Sequence, residues 1–197
     1  LTFNYNSDFS RYSYFYAKYL NEKNKNKKAL NVIKESIKRN PRNLLLNQYK
    51  IELSKSKNNF EFDCKNEKDV IAELLYIAAN ALSSQSMNTL SNFYLNLSKF
   101  LNKNFHAFDI LLAENFYKIE DFSNAKKIYK KLSGHGSAFK WYSSKQISRI
   151  LIQEENRENS IKLLSSSYSK LPIKGIYETF DYAEFLKNNE QFEESIT

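Results

Sequence analysis

Residues able to carry out catalysis are few in this chain. It contains two histidines, His106 and His135, and one cysteine, Cys64. None of them stands at a spacing typical of a nucleophile with its base or of a metal-ligand set. Neighbouring acids such as Glu154 and Glu155 point in different directions on a helix, which disfavours paired acid and base work. The sequence therefore predicts no catalytic residue, no cofactor site and no metal site, and hence no enzyme.

Glycine and proline are scarce, with three and two copies in 197 residues. A β-sandwich needs turn residues every ten or so positions, and a dinucleotide-binding domain needs a glycine-rich loop. The Gly134-His135-Gly136 stretch lacks the rest of a phosphate-binding fingerprint, and it predicts a left-handed turn after a helix. This composition excludes both classes and indicates an all-α protein.

The net charge of +8 raises the question of a nucleic-acid partner. The positive charge comes from 25 Lys and only 5 Arg. Arginine is the residue favoured for bidentate contacts with phosphate and guanine. The abundance of Lys, Asn, Ile, Phe and Tyr also reflects A/T-rich codons. A solvated lysine surface is thus the favoured interpretation, and a nucleic-acid footprint is the alternative.

Targeting features are also absent from the sequence. No run approaches the apolar length of a membrane span, and no signal peptide is present. The sequence begins at Leu1 without a methionine and stops inside an amphipathic pattern, so we expect it to be cut at both ends. The compartment stays open between the cytoplasm and a bacterial envelope location reached through an upstream export signal.

A periodic pattern of small residues organises the chain. Small residues recur twelve positions apart, and the pairs from the second onward advance by 34 or 35 residues. Such spacing predicts αα-hairpins, because small side chains let two antiparallel helices approach closely. Both prolines lie twelve residues beyond a pair, where proline ends the second helix. The pairs are Ala17/Ala29, Ala79/Ser91, Ala113/Ala125, Ser148/Ser160 and Ala183/Ser195, and the prolines are Pro41 and Pro172.

Apolar periodicity then predicts the helices and their grouping. The whole chain, 1–197, is predicted to be one repeat array, with the stretch from Lys55 to Glu67 a loop in place of a helix. The expected helices span 8–22, 26–39, 43–56, 68–84, 87–101, 105–118, 122–133, 138–153, 157–169, 174–188 and 190 onward. The expected repeats span 8–42, a degenerate 43–67, 68–104, 105–137, 138–173 and a truncated 174–197.

The stretch from Ala113 to Leu132 carries a family resemblance, with Glu-Asp-Phe-Ser-Asn-Ala-Lys-Lys-Ile-Tyr as its turn and second helix. Tyr182 to Ser195 and Tyr16 to Pro41 repeat the pattern. The chain resembles tetratricopeptide-repeat (TPR) proteins, most closely the long divergent ones of alphaproteobacteria. The resemblance implies an αα-hairpin repeat solenoid, a right-handed superhelix of about five repeats plus the degenerate one. Pentatricopeptide repeats, which bind RNA, are the main competitor.

This sequence departs from the family at its glycines. The first-helix glycine is Ala or Ser in every repeat. The turn glycine is replaced at five equivalent positions, namely Asn24, Ser86, Glu120, Glu155 and Glu190.

In the family, first-helix residues line a concave groove that binds a partner. Aromatic rings beside a few polar groups suit a peptide, because rings offer contact area at low entropic cost. The alternative for several of these aromatic residues is that they pack between repeats. Lys145 and Arg149 together are a candidate contact for an anion. The resemblance places in the groove Tyr14, Lys18, Tyr76, Asn80, Glu114, Tyr117, Tyr142, Lys145, Arg149, Tyr177 and Glu184.

The predicted function is therefore that of a noncatalytic scaffold that binds a peptide or protein partner. Open ends of the array also allow association of identical copies. The alternatives are an RNA-binding helical repeat protein and the interaction arm of a larger enzyme.

Overall fold

The computed structural model describes residues 9–54 and 62–196, and these residues form α-helices, one 3₁₀ turn and no strand. They divide into an N-terminal body within Leu1–Phe60 and a C-terminal body within Glu61–Thr197. The N-terminal body contains α1 (Ser10–Glu22), α2 (Asn26–Arg39) and α3 (Leu44–Ser54). The C-terminal body contains α4 (Glu67–Ser84), α5 (Asn88–Leu101), α6 (Ala107–Lys118), α7 (Phe122–Leu132), the 3₁₀ turn Ser133–His135, α8 (Ser137–Gln153), α9 (Arg157–Ser169), α10 (Ile176–Asn188) and α11 (Phe192–Ile196).

The predicted helix boundaries that fall on described residues agree with these to within two residues, whereas the predicted start at 8 and the predicted end at 56 lie outside the described residues. The predicted loop from Lys55 to Glu67 falls partly on residues 55–61, which lie outside the described residues. Its remainder, 62–66, is non-helical, and Glu67 already begins α4. None of the described helices is both long and apolar enough to cross a membrane.

The turns between paired helices share one backbone geometry. Among the described residues, five that are not glycine adopt positive φ, between 57° and 62°, and each lies two residues beyond the end of a first helix. At the third of these turns, the Asp121 N–H donates to the Phe116 carbonyl at 2.9 Å and the Glu120 N–H donates to the Tyr117 carbonyl at 3.0 Å. These two bonds form a Schellman motif, and the other four turns repeat them. The five residues are Asn24, Ser86, Glu120, Glu155 and Glu190, the positions where the sequence lacks the expected glycine.

The small residues lie where the paired helices meet. Both members of the first four pairs are fully buried, and Ala183 and Ser195 are half-buried. The Ser91 hydroxyl donates to the Ala79 carbonyl at 2.7 Å, which fixes the contact between α4 and α5. The turns and the buried pairs together confirm the predicted all-α fold of repeated αα-hairpins. Its hairpins are α1/α2, α4/α5, α6/α7, α8/α9 and α10/α11, and α3 follows α2 as a helix outside these pairs.

Candidate functional site

In the N-terminal body, the two predicted groove residues are buried. Tyr14 is 1% exposed and Lys18 is 8% exposed. The Tyr14 ring packs edge-on against Tyr49 with 5.1 Å between ring centres, and the Lys18 ammonium lies 5.5 Å from the centre of the Tyr14 ring. Both side chains serve packing here, so neither presents a surface that a partner could reach.

The α4 residues of the predicted groove differ in their surroundings. Tyr76 is half-buried, and its ring centre lies 5.5 Å from that of Phe108 on α6. Asn80, one helical turn later, is exposed. Tyr76 therefore helps to join two hairpins, while Asn80 lies open on the first-helix side.

The predicted residues of α6 and α8 come together in the C-terminal body. The Tyr142 hydroxyl donates a hydrogen bond of 2.5 Å to Glu114, although the two residues are 28 positions apart. Two turns further along α8, the Arg149 guanidinium lies 5.2 Å from the centre of the Tyr117 ring, a cation–π geometry. The exposed Arg149 also donates to Gln146 at 3.1 Å. Adjacent first helices thus hold these side chains in a fixed arrangement.

Two phenols beside Glu114 stay protonated at neutral pH. Burial raises the pKa of Tyr142 well above its ordinary value, and the negative charge of Glu114 adds to the shift. Burial, followed by the Glu114 charge, likewise raises the pKa of Tyr129. The two rings pack at 5.9 Å between centres. In this cluster the neutral Tyr142 phenol donates to the Glu114 carboxylate, and the Tyr129 ring packs beside Tyr142.

The first helices α8 and α10 are joined by an ion pair between Lys145 and Asp181. The charge of Lys145, a candidate anion contact, is thereby balanced within the protein. On the same helix α10, Tyr177 is 41% exposed, and Glu184 is also exposed. Seven predicted groove residues of the C-terminal body are together called the first-helix surface below, namely Asn80, Glu114, Tyr117, Tyr142, Arg149, Tyr177 and Glu184.

A buried amide network links α4, α5 and α6, and sequence reasoning missed it. Asn115 is fully buried and donates to the Ser91 hydroxyl at 2.7 Å and to the Asn92 amide oxygen at 2.9 Å. It accepts from the Ser83 hydroxyl at 2.6 Å, and Ser83 in turn accepts from Lys118 at 3.0 Å. An asparagine at an apolar-periodic position was the available signal, but its partners lie 23 to 32 residues earlier.

The contact between the two histidines, His106 and His135, was also not predicted from the sequence. Their rings stack with 3.5 Å between centres, at the beginning of α6 and the end of the 3₁₀ turn. Burial, then the neighbouring His135, lowers the pKa of His106 from 6.5 to about 4. Asp109, one turn into α6, is buried and pairs with Lys99 and, at 4.0 Å, with Lys131.

The structure corrects the turn predicted at His135. His135 ends the 3₁₀ turn and does not lie in a left-handed helical turn. The unusual backbone conformation belongs to Gly136, whose φ of 138° and ψ of 171° lie outside the left-handed helical region. Only glycine adopts that region easily, because it has no Cβ.

No cluster of three or more His, Cys, Asp or Glu side chains is placed among the described residues to hold a metal ion. Cys64 is exposed.

No protein-family model matches this chain, and no curated protein matches its sequence. Among solved structures, the chain is similar to a putative kinesin light chain of Podosopora anserina with nearly identical TPR-like repeats, and to a variant of that protein. In both comparisons the TM-score is 0.49 and the identity 11%, over 95% of this chain and 90% of that chain.

Proposed function

We propose that this protein is a noncatalytic interaction scaffold that binds a peptide or protein segment on the first-helix surface of its C-terminal body. One observation carries the proposal. The hydrogen bond from Tyr142 to Glu114 and the stacking of Arg149 on Tyr117 assemble residues of two repeats into one surface.

The arrangement suits a peptide for a physical reason. A rigid surface loses little conformational freedom on binding, so more of the contact free energy appears as affinity. Tyr142 and Glu114 form the fixed floor, while the exposed Arg149 and Tyr177 supply a cationic donor and a ring for an incoming chain. A guanidinium favours carboxylates, so the proposed ligand combines an acidic group with an apolar side chain.

The charge pattern of this surface favours a peptide over RNA. Glu114 on α6 and Glu184 on α10 lie on the first helices before and after α8, which carries Lys145 and Arg149. Asp181 also neutralises Lys145. Nucleic-acid surfaces gain most of their affinity from cations that meet phosphates, and interleaved carboxylates oppose that contact.

The proposal can be tested with peptides selected from a random displayed library on the immobilised full chain. Arg149→Glu combined with Tyr177→Ala should weaken the selected peptides about tenfold or more, because both side chains are exposed contacts. Lys162→Glu on α9 is the control and should leave binding unchanged. Equal binding by the double variant, with unchanged circular dichroism, would refute the assigned surface.

A separate arm addresses nucleic acid. Binding of single-stranded RNA at physiological salt, with affinity falling steeply as salt rises, would instead favour the RNA-binding alternative.

A further inference from the structure

Charged residues of alternating sign occupy one position of the repeat in the C-terminal body. That position directly follows the small residue of each first helix. It holds Glu114 on α6, Arg149 on α8 and Glu184 on α10, at intervals of 35 residues, and Asn80 on α4 extends the series with a neutral amide. Because successive helical residues lie about 100° apart, side chains that follow the small residue leave their helices on the same side. We call Glu114, Arg149 and Glu184 the charged row.

The charges of this row are not neutralised by ion pairs within the described part of the protein. Glu114 is half-buried, and it accepts a hydrogen bond from the hydroxyl of Tyr142, a neutral donor that leaves the carboxylate charge in place. The other two members are exposed. No member forms an ion pair with another described residue, whereas Lys145 on α8 and Asp181 on α10, about one helical turn earlier, do pair with each other. The charged row is therefore able to attract charges of opposite sign on a ligand.

The distance between neighbouring first helices fits one backbone conformation of a bound segment. α6 and α8 contact each other directly, through Tyr142 with Glu114 and through Arg149 with Tyr117. The axes of packed helices lie about 8–10 Å apart. A polyproline II segment has three residues per turn and advances about 9.3 Å per turn, so every third side chain meets the next helix. In a β-strand, by contrast, residues three apart point to opposite faces.

We propose that the segment bound on the first-helix surface is a polyproline II segment whose residues at i, i+3 and i+6 are basic, acidic and basic. The two basic residues meet Glu114 and Glu184, and the acidic residue meets Arg149, whose guanidinium forms charge-assisted hydrogen bonds with a carboxylate. This inference rests on the proposed function and specifies its ligand. Alternating charges also provide selectivity, because a segment with the wrong order places like charges opposite each other.

Three fluorescent peptides test the spacing and the order of the charges on the full chain. The matched peptide is Lys-Pro-Pro-Glu-Pro-Pro-Lys, the respaced peptide of the same composition is Lys-Pro-Glu-Pro-Lys-Pro-Pro, and the reversed peptide is Glu-Pro-Pro-Lys-Pro-Pro-Glu. In fluorescence anisotropy at low salt, the matched peptide should bind about fivefold or more tightly than either of the others. The advantage should disappear in 1 M salt, where the screening length is about 3 Å.

Net charge alone cannot produce the expected preference. The chain carries +8, so non-specific attraction favours the reversed peptide, whose side chains sum to a negative charge. The respaced peptide has the same net charge as the matched one. A preference for the matched peptide therefore reports the positions of the charges.

A charge reversal in the protein tests which residue meets the acidic position. Arg149→Glu should bind Lys-Pro-Pro-Lys-Pro-Pro-Lys about fivefold or more tightly than the matched peptide, because the new carboxylate attracts the central lysine and repels the central glutamate. Lys162→Glu on α9 makes the same kind of change on an exposed second-helix residue. This control should keep the wild-type preference for the matched peptide.

Two outcomes would overturn this inference and leave the proposed function standing. They are equal binding of the matched and respaced peptides, and an Arg149→Glu variant with unchanged circular dichroism that still prefers the matched peptide over its central-lysine form. Failure of the proposed function itself has a different signature. In that case Arg149→Glu with Tyr177→Ala would still bind the peptides selected from the displayed library, and both proposals would be overturned.

Discussion

The α6/α7 and α8/α9 hairpins are consecutive copies of one repeat, 35 residues apart, and they bury different chemistry at matched positions. Their plan is common. Glu120 and Glu155 turn the chain with φ of 60° and 58°. The contact between paired helices is Ala113 with Ala125 in one hairpin and a serine pair in the other. In the serine pair, each hydroxyl donates to the other's carbonyl, at 2.8 and 3.3 Å.

The interiors of the two hairpins differ most at the position two residues after the small residue of the first helix, which is Ala113 in α6 and Ser148 in α8. α6 places Asn115 there, bonded to three polar side chains of the preceding hairpin, whereas α8 places Ile150, also fully buried. Seven residues before that alanine or serine, the α6/α7 hairpin has His106, just before α6, stacked on His135, and the α8/α9 hairpin has Trp141 beside Tyr168. The repeat therefore constrains the turn and the close contact, while the chemistry of the side chains that fill the interior differs from one hairpin to the next.

Exchanging the buried side chains at the matched positions 115 and 150 should change the free energy of unfolding more than any other substitution considered below. Ile150→Asn puts an amide into an apolar site and should lower the free energy of unfolding by about 3–5 kcal/mol. Asn115→Ile should cost less, about 2–3 kcal/mol, because it removes three hydrogen bonds but leaves no cavity. Urea denaturation monitored by circular dichroism gives both values.

The order of the two costs is the informative result. Adding Ser83→Ala and Asn92→Leu to Asn115→Ile should recover part of the loss, because the polar groups left unpaired are then removed as well. If Asn115→Ile lowered the free energy of unfolding more than Ile150→Asn does, the hydrogen bonds of Asn115 would contribute more net stability than the apolar packing of Ile150, contrary to our interpretation.

The two hairpins should also differ, by a smaller amount, in how much the free energy of unfolding depends on pH. The unfolded chain protonates His106 near 6.5, whereas the folded pKa is about 4, because burial and then His135 disfavour the cation. The unfolded state thus binds more protons as pH falls through this window, and stability decreases. After allowance for partial exposure, we expect a loss of roughly 1–2 kcal/mol between about pH 7.5 and about pH 5.

The matched variants assign that loss. Urea midpoints of His106→Phe should vary less with pH than those of the wild type, since the residue no longer titrates. Trp141→Phe, at the equivalent position of α8, should keep the wild-type pH dependence. The same slope in both variants would place the acid sensitivity elsewhere in the molecule.

The helices and their pairing into hairpins can be predicted from the sequence, because they depend on residues that are close together in the chain. Small residues twelve apart and apolar periodicity depend on neighbours within one hairpin, so helix ends were predicted to within two residues. Tyr14 and Lys18 were placed on a groove by position alone, but their burial depends on Tyr49 from another helix. Asn115 and the histidine stack likewise depend on partners at least 23 residues away, and although Asn115 stands out at an apolar-periodic position, no local pattern identifies those partners.

The smallest expected effect concerns what the hairpins share. A residue other than glycine pays about 1–2 kcal/mol to adopt the left-handed conformation, and glycine loses roughly 0.5–1 kcal/mol in backbone entropy on folding. Glu120→Gly and Glu155→Gly should therefore each stabilise the protein by about 0.5–1 kcal/mol in urea denaturation. Alanine at either position, which keeps the Cβ, should give no such gain.

Equality of the two gains is what tests the comparison. Glu120 and Glu155 close Schellman motifs with the same pair of backbone hydrogen bonds, although one turn follows the Asn115 filling and the other follows Ile150. If turn and filling are independent, the gains match and add in the double variant, as changes at distant sites do. Unequal gains, or a loss at either turn, would mean that the interior chemistry of each hairpin also strains its turn.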